Sequence, residues 1–226
     1  MTLLQKLLPP VRRALKDAAY KTPLARWIAP RWLFNHSPAQ LGFLCECLSR
    51  ARDVPGPVFE VGCYAGVTTM FLRKHMDAEG IVKPYYAFDT FEGFTADDVA
   101  YEVRERDKGG VDLTGFSDNK QDWFDRTMAL NGVGGVRSIK ADVSRFDFGA
   151  LEPPAFCLVD VDLYQPVKAT LTALYDRLPR GAVVVVDDCG GDACFDGALQ
   201  AYREFVAARS LPSRIERGKL GFIEKP

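Results

Sequence analysis

The sequence predicts an α/β protein with a Rossmann-like architecture: about seven strands in a mostly parallel sheet, helices on both faces, and a closing β-hairpin. Three observations carry this. From residue 58 onward, short apolar runs alternate with stretches of helical periodicity, the sequence form of repeated βα units. Each apolar run ends near an acid or a glycine, and the first of them enters a glycine-bearing turn that leads into a helix. The length of 226 residues, with 47% hydrophobic and 26% charged, fits one globular domain with a real core.

Residues 1–53 read as short helices cut by Pro9-Pro10, Pro23, Pro30 and Pro38, with nine Lys/Arg against three acids. They form a basic N-terminal helical extension, expected to act as a lid or as an oligomer contact in a homodimer, ahead of the main domain at 54–226. In that domain Val58–Val61 is the first strand, Pro84–Phe88 the second and Val136–Lys140 the third. Phe156–Asp160 is the fourth and Ala182–Val186 the fifth. Thr68–Met76, Trp123–Leu130, Val167–Leu178 and Asp196–Ala208 carry helical periodicity, and Arg214–Arg217, Gly218-Lys219 and Leu220–Glu224 read as the hairpin. Residues 95–122 are polar, contain Gly109-Gly110 and Gly115, and are too long for an ordinary βα connection, so they are read as a mobile lid with some helix.

Lys+Arg number 29 and Asp+Glu 30, so no net charge recruits the chain to nucleic acid or to an acidic membrane. No run of eighteen apolar residues exists, and the expectation is a cytoplasmic protein with no membrane span and a small-molecule partner. Six cysteines form no CxxC and only two histidines accompany them, which argues for free thiols over zinc.

Candidate site residues collect at strand ends. Gly62, Tyr64 and Gly66 lie in the turn after the first strand, where a ligand approaches the backbone closely. Asp89 ends the second strand, a position suited to accepting hydrogen bonds from ribose hydroxyls; Asp142, after the third, either reaches an adenine amine or caps a turn. Asp160 and Asp162 follow the fourth strand, and Asp187 and Asp188 the fifth. In a parallel sheet these ends share one edge, so Asp160, Asp187 and Asp188 are expected to converge. With Lys168 and Arg180 both poorly placed to neutralise them, the reading is a hard divalent cation, Mg²⁺ or Mn²⁺.

The ordered set Val54-Pro55-Gly56, Phe59-Glu60-Val61-Gly62, Phe88-Asp89-Thr90-Phe91-Glu92-Gly93-Phe94, Val159-Asp160-Val161-Asp162-Leu163-Tyr164 and Gly181 through Val186-Asp187-Asp188 resembles the macrocin O-methyltransferase (TylF-like) family, over roughly residues 38–226. The resemblance implies a class I methyltransferase fold, S-adenosylmethionine held by Glu60, Gly62 and Asp89, and a metal on Asp160, Asp187 and Asp188. It also implies a hydroxyl-bearing acceptor, a sugar of a glycosylated natural product. Methyl transfer from a sulfonium needs a base for the acceptor proton. Asp162, beside the metal ligands, is the first candidate and His36 the second. Two other classes share parts of the pattern: a nicotinamide-dependent oxidoreductase, and a noncatalytic protein of the same fold that binds S-adenosylmethionine.

Overall fold

The computed structural model describes residues 9–23, 25, 29, 33–191 and 195–226. It divides the chain into two units, 1–35 and 36–226. In the first, α1 (Pro9–Tyr20) is an amphipathic helix entered through a proline pair, where a missing N–H costs nothing. Its C-terminal end is tied by Lys21 to Asp17 at 2.6 Å.

The second unit contains α2 (Pro38–Arg50), β1 (Val58–Val61), α3 (Val67–Glu79), β2 (Tyr85–Asp89), α4 (Ala96–Glu105), α5 (Gln121–Leu130) and β3 (Val136–Lys140). It continues with β4 (Phe156–Val159), α6 (Tyr164–Tyr175), β5 (Val183–Val186), α7 (Asp196–Ala208), β6 (Ile215–Glu216) and β7 (Leu220–Glu224). The sheet order is β3-β2-β1-β4-β5-β7-β6. Five strands are parallel, β7 runs antiparallel to β5, and β6 pairs antiparallel with β7. Fold class, strand count and closing hairpin are as the sequence predicts.

The division of the chain is not. Residues 36–53 belong to the sheet-bearing unit, because α2 buries Leu41, Phe43, Leu44, Cys47 and Leu48. A Ser37–Gln40 capping box and Pro38 in the first turn start that helix sharply. The boundary between the two units falls at 35/36, just before the helix that Pro38 opens, where the sequence reading placed it at 53/54.

Strand side chains alternate between two cores, one on each face. Val58, Tyr85, Phe156, Leu158, Val183 and Val185 pack with residues of α2, α3 and α5. Phe59, Val61, Phe88, Val159, Val184 and Val186 pack with residues of α6 and α7. Each such side chain removed from water stabilises the fold by roughly 1.5–3 kcal/mol, which is why β5 can be four consecutive buried valines.

The register sets the site. Val61 pairs with Phe88 and with Val159, and Val159 pairs with Val186, so four parallel strands end on one row. The residues that follow, Gly62, Asp89, Asp160 and Asp187, therefore stand side by side on the carboxyl edge. Strand order reverses between β1 and β4, where open α/β sheets form their ligand crevice.

Candidate active site

The turn after β1 is built for tight packing. Gly62 has φ 92°, and a Cβ there would lie 1.8 Å from the backbone oxygen of Asp160. Gly66 has φ 83°, and a Cβ there would strike Met128 and Phe124 of α5. The two glycines let β1, β4 and α5 close around the turn, so its shape is a property of the fold before any ligand arrives.

Asp89 braces that turn. One carboxylate oxygen accepts from Tyr64 N–H at 2.8 Å and the other from Phe91 N–H at 2.7 Å. Burial raises its pKa, against the lowering effect of these N–H groups. Glu60, 1% exposed, lies beneath the turn and accepts from the hydroxyls of Thr69 and Tyr85, both at 2.6 Å. Burial pushes its carboxyl up to about 7, although both hydroxyls favour the charged form. Asp142 accepts from Ser144 N–H at 3.0 Å and lies 3.7 Å from Arg145 Nε, the turn-capping alternative of its two sequence readings.

Tyr64 adopts φ 41°. Its hydroxyl donates to Asp118 at 3.0 Å and its carbonyl accepts from Asn119 at 2.7 Å, which fastens the end of the 95–122 segment to the glycine turn. Neither Asp118 nor Asn119 carried a motif that would have singled it out. The segment contains the helix expected within it: α4 occupies 96–105, starts on a Thr95 cap and buries Asp98 and Glu102.

At the ends of β4 and β5 the aspartates do come together, in two overlapping groups. Ligand atoms of His36, Asp160 and Asp187 lie within 4.8 Å of one another, as do those of Asp160, Asp162 and Asp188. The expected triad is thus spread over both groups with Asp160 shared. Asp162 and Asp188 have φ 59° and 55°, left-handed conformations uncommon outside glycine. Desolvation, then Asp187, Asp162 and Asp188, raise Asp160 well above the usual carboxylate range, and Asp162 is raised by burial and then by Asp188.

One expectation fails: a basic residue is present. Lys219, in the β6–β7 turn, approaches Asp187 Oδ2 at 2.7 Å and Asp188 Oδ1 at 3.3 Å. Burial would raise the Asp187 pKa, but His36, with Nε2 at 3.2 Å, and Lys219 outweigh it and hold Asp187 below its usual range. The antiparallel register brings the lysine there, since Val186 pairs with Gly221 and the residues beyond them face one another. Lys168 instead meets Tyr164 and Glu204. His36 is 2% exposed and faces Asp187, so the structure groups it with the cluster and not with an open acceptor face.

The donor set suits a hard cation. One lysine does not balance four carboxylates, and Asp187 Oδ1, buried, has no hydrogen-bond partner among the described residues. Five cysteines are free thiols, while Cys194 lies outside the described residues. No helix among the described residues is long and apolar enough to cross a membrane.

Comparison with known proteins places this edge in context. The family profile described as "Methyltransferase domain" matches residues 59–189, more than half of the chain. A Streptomyces olivaceus protein, 8-demethyl-8-(2,3-dimethoxy-alpha-L-rhamnosyl)-tetracenomycin-C 4'-O-methyltransferase, is 31% identical over 163 residues, covering 68% of this chain and 60% of that relative's length. Among solved structures, the calicheamicin methyltransferase CalS11 superposes with TM-score 0.66 at 20% identity, covering 98% of this chain and 88% of that one. The O-methyltransferase NovP gives TM-score 0.66 at 19% identity over 83% and 79%. At these identities the two structures bear on the fold alone.

Proposed function

The chain belongs to the methyltransferase-domain family, and from that premise we propose that it is an S-adenosylmethionine-dependent O-methyltransferase acting on a sugar hydroxyl of a glycosylated natural product. The sugar reading draws support from the rhamnosyl 4'-O-methyltransferase relative, whose aligned stretch includes only 60% of its own length. The observation that carries the mechanism is the group of four aspartates at the ends of β4 and β5, one buried oxygen of which has no partner among the described residues.

In this reading Asp89 binds the ribose of S-adenosylmethionine with the lone pairs that Tyr64 and Phe91 leave open, and Glu60 and Gly62 shape the turn against which the donor lies. Asp142 is kept as a turn residue. When bound, the sulfonium donor would supply the methyl group: the acceptor oxygen bonds to the methyl carbon in line with the breaking C–S bond, and S-adenosylhomocysteine leaves as a neutral thioether. Asp160, Asp187 and Asp188 would hold Mg²⁺ or Mn²⁺, with His36 Nε2 as a further donor beside Asp187. When bound, a divalent cation would supply Lewis-acid chemistry that lowers the pKa of an acceptor hydroxyl. Asp162, two residues beyond Asp160 and grouped with Asp160 and Asp188, is the carboxylate placed to take the acceptor proton. A nicotinamide oxidoreductase would use the glycine turn but leave these four acids without a role.

The test is methyl transfer from labelled S-adenosylmethionine to a rhamnosylated tetracenomycin-type glycoside, before and after chelator treatment. Turnover lost to chelator and restored by Mg²⁺ or Mn²⁺ is the expected result. Full activity in chelator would defeat the metal assignment, and binding of S-adenosylmethionine without transfer to any glycoside or diol offered would favour a noncatalytic binding protein.

A further inference from the structure

Asp162 occupies a left-handed conformation at φ 59°, one that a non-glycine residue keeps only where its surroundings hold it. Two clasps do so. Its carbonyl accepts from Ala198 N–H in the first turn of α7 at 3.1 Å. Two residues on, Tyr164 N–H at the start of α6 donates to Glu102 Oε1 at 2.8 Å.

That second contact reaches across the molecule. Glu102 projects from α4 and is 2% exposed. The cap residue of α6, Leu163, has no side chain able to satisfy the free N–H groups, and Glu102 serves in its place with a charge that suits a helix N-terminus. Its other oxygen accepts from Arg106 Nε at 2.7 Å, and Arg106 continues to Asp196 at 2.5 Å on the first turn of α7. Lys108 reaches the same Asp196 oxygen at 2.8 Å. Gly197 leaves room for the junction: a Cβ there would lie 2.6 Å from Tyr164 N and 2.9 Å from Glu102 Oε1. Tyr101 stacks on Tyr164 at 5.4 Å with rings 4° apart, which adds an apolar contact beside the buried charges.

We infer that Glu102 is a positioning residue for methyl transfer: by capping α6 it fixes the Asp162 backbone, and α4 is the arm through which the 95–122 segment sets the base. This rests on the reading of Asp162 as base. A displacement of about 1 Å at a reacting group can cost 10²-fold, so Glu102→Ala should lower kcat ~10–100-fold while the Kd for S-adenosylmethionine stays near the parental value. Glu102→Gln retains an oxygen able to accept from Tyr164 N–H and should recover most of that loss.

The decisive measurement is a double-mutant cycle on kcat with Asp162→Asn. If Glu102 acts through Asp162, adding Glu102→Ala to Asp162→Asn should cost little more; a general loss of structure would instead multiply the two effects. Gly197→Ala keeps every charge but sets a Cβ 2.6 Å from Tyr164 N and 2.9 Å from Glu102 Oε1, so it disturbs the cap from its other side, and it serves if Glu102→Ala does not fold. Multiplicative losses, or Glu102→Ala and Gly197→Ala both with parental kcat while Asp162→Asn is impaired, would overturn the positioning role alone. Parental turnover in Asp162→Asn would overturn the base assignment and this role with it; hydrogen exchange at Tyr164 N–H would then still report whether the cap exists.

Discussion

Glu60 and Asp89 stand on or behind the same sheet edge as Asp160, Asp162, Asp187 and Asp188, but the chain treats the two groups differently. On the β1–β2 side each carboxylate is tied to the chain: Glu60 by two hydroxyls, Asp89 by two backbone N–H groups on separate oxygens. On the β4–β5 side the acids crowd one another, share one lysine, and leave a buried oxygen without a partner among the described residues. The difference separates carboxylates that brace a turn from carboxylates that the fold does not itself satisfy. Substitution should therefore read out differently on the two sides.

The largest effect is expected in the crowded group. Asp160→Asn removes the charge shared by both triads, so turnover should fall by ~10²–10³-fold or more. Its thermal midpoint in chelator should hold or rise, because a repulsion has been relieved. Rate assays beside calorimetry test both halves, and a destabilised variant with normal turnover would reverse the comparison.

Glu60→Gln probes the satisfied group through pH. The Glu60 carboxyl at about 7 lies above its ordinary 4.5, so its contribution to stability is present at acid pH and is lost as pH rises from about 4.5 through 7. At 1.36 kcal/mol per unit this amounts to roughly 3 kcal/mol. Denaturant unfolding between pH 4.5 and 8 should show the fall in the parent and a flatter profile in Glu60→Gln; equal slopes would remove Glu60 as the cause. Asp89→Ala should cost ~1.5–3 kcal/mol in S-adenosylmethionine binding by calorimetry and should also lower the thermal midpoint, since the same oxygens brace the turn. Unchanged affinity would remove Asp89 from the donor site.

The smallest effect separates the two halves of the 95–122 segment. Amides of α4, clasped through Glu102, should exchange slowly with or without ligand, whereas 107–118 should gain protection when donor and acceptor bind. Equal protection throughout would make the whole segment a fixed insertion.

Strands and most helices were legible because runs such as Val183–Val186 are buried on both faces and carry an unmistakable apolar signature. The convergence of Asp160 and Asp187 followed from the parallel register alone. Lys219 was missed because its place depends on the pairing of the closing hairpin with β5. Had Val186 been set opposite Gly221, a residue just before Leu220 would have been placed beside Asp187 and Asp188. Glu102 left no such trace: its partner Tyr164 lies far along the chain, as does Asp196, the second partner of Arg106, and only its spacing of four from Arg106 hinted at a pair.

The 1.8 Å clearance at Gly62 changes what a glycine there can be taken to mean. Any descendant of this chain that keeps β1 and β4 in register must keep a residue without a side chain at that point, even after all catalysis has been lost. A glycine match at 62 therefore reports inherited architecture. If the proposed metal role of Asp160 holds, living enzymes and retired ones would be told apart there, at a side chain the strand pairing does not use.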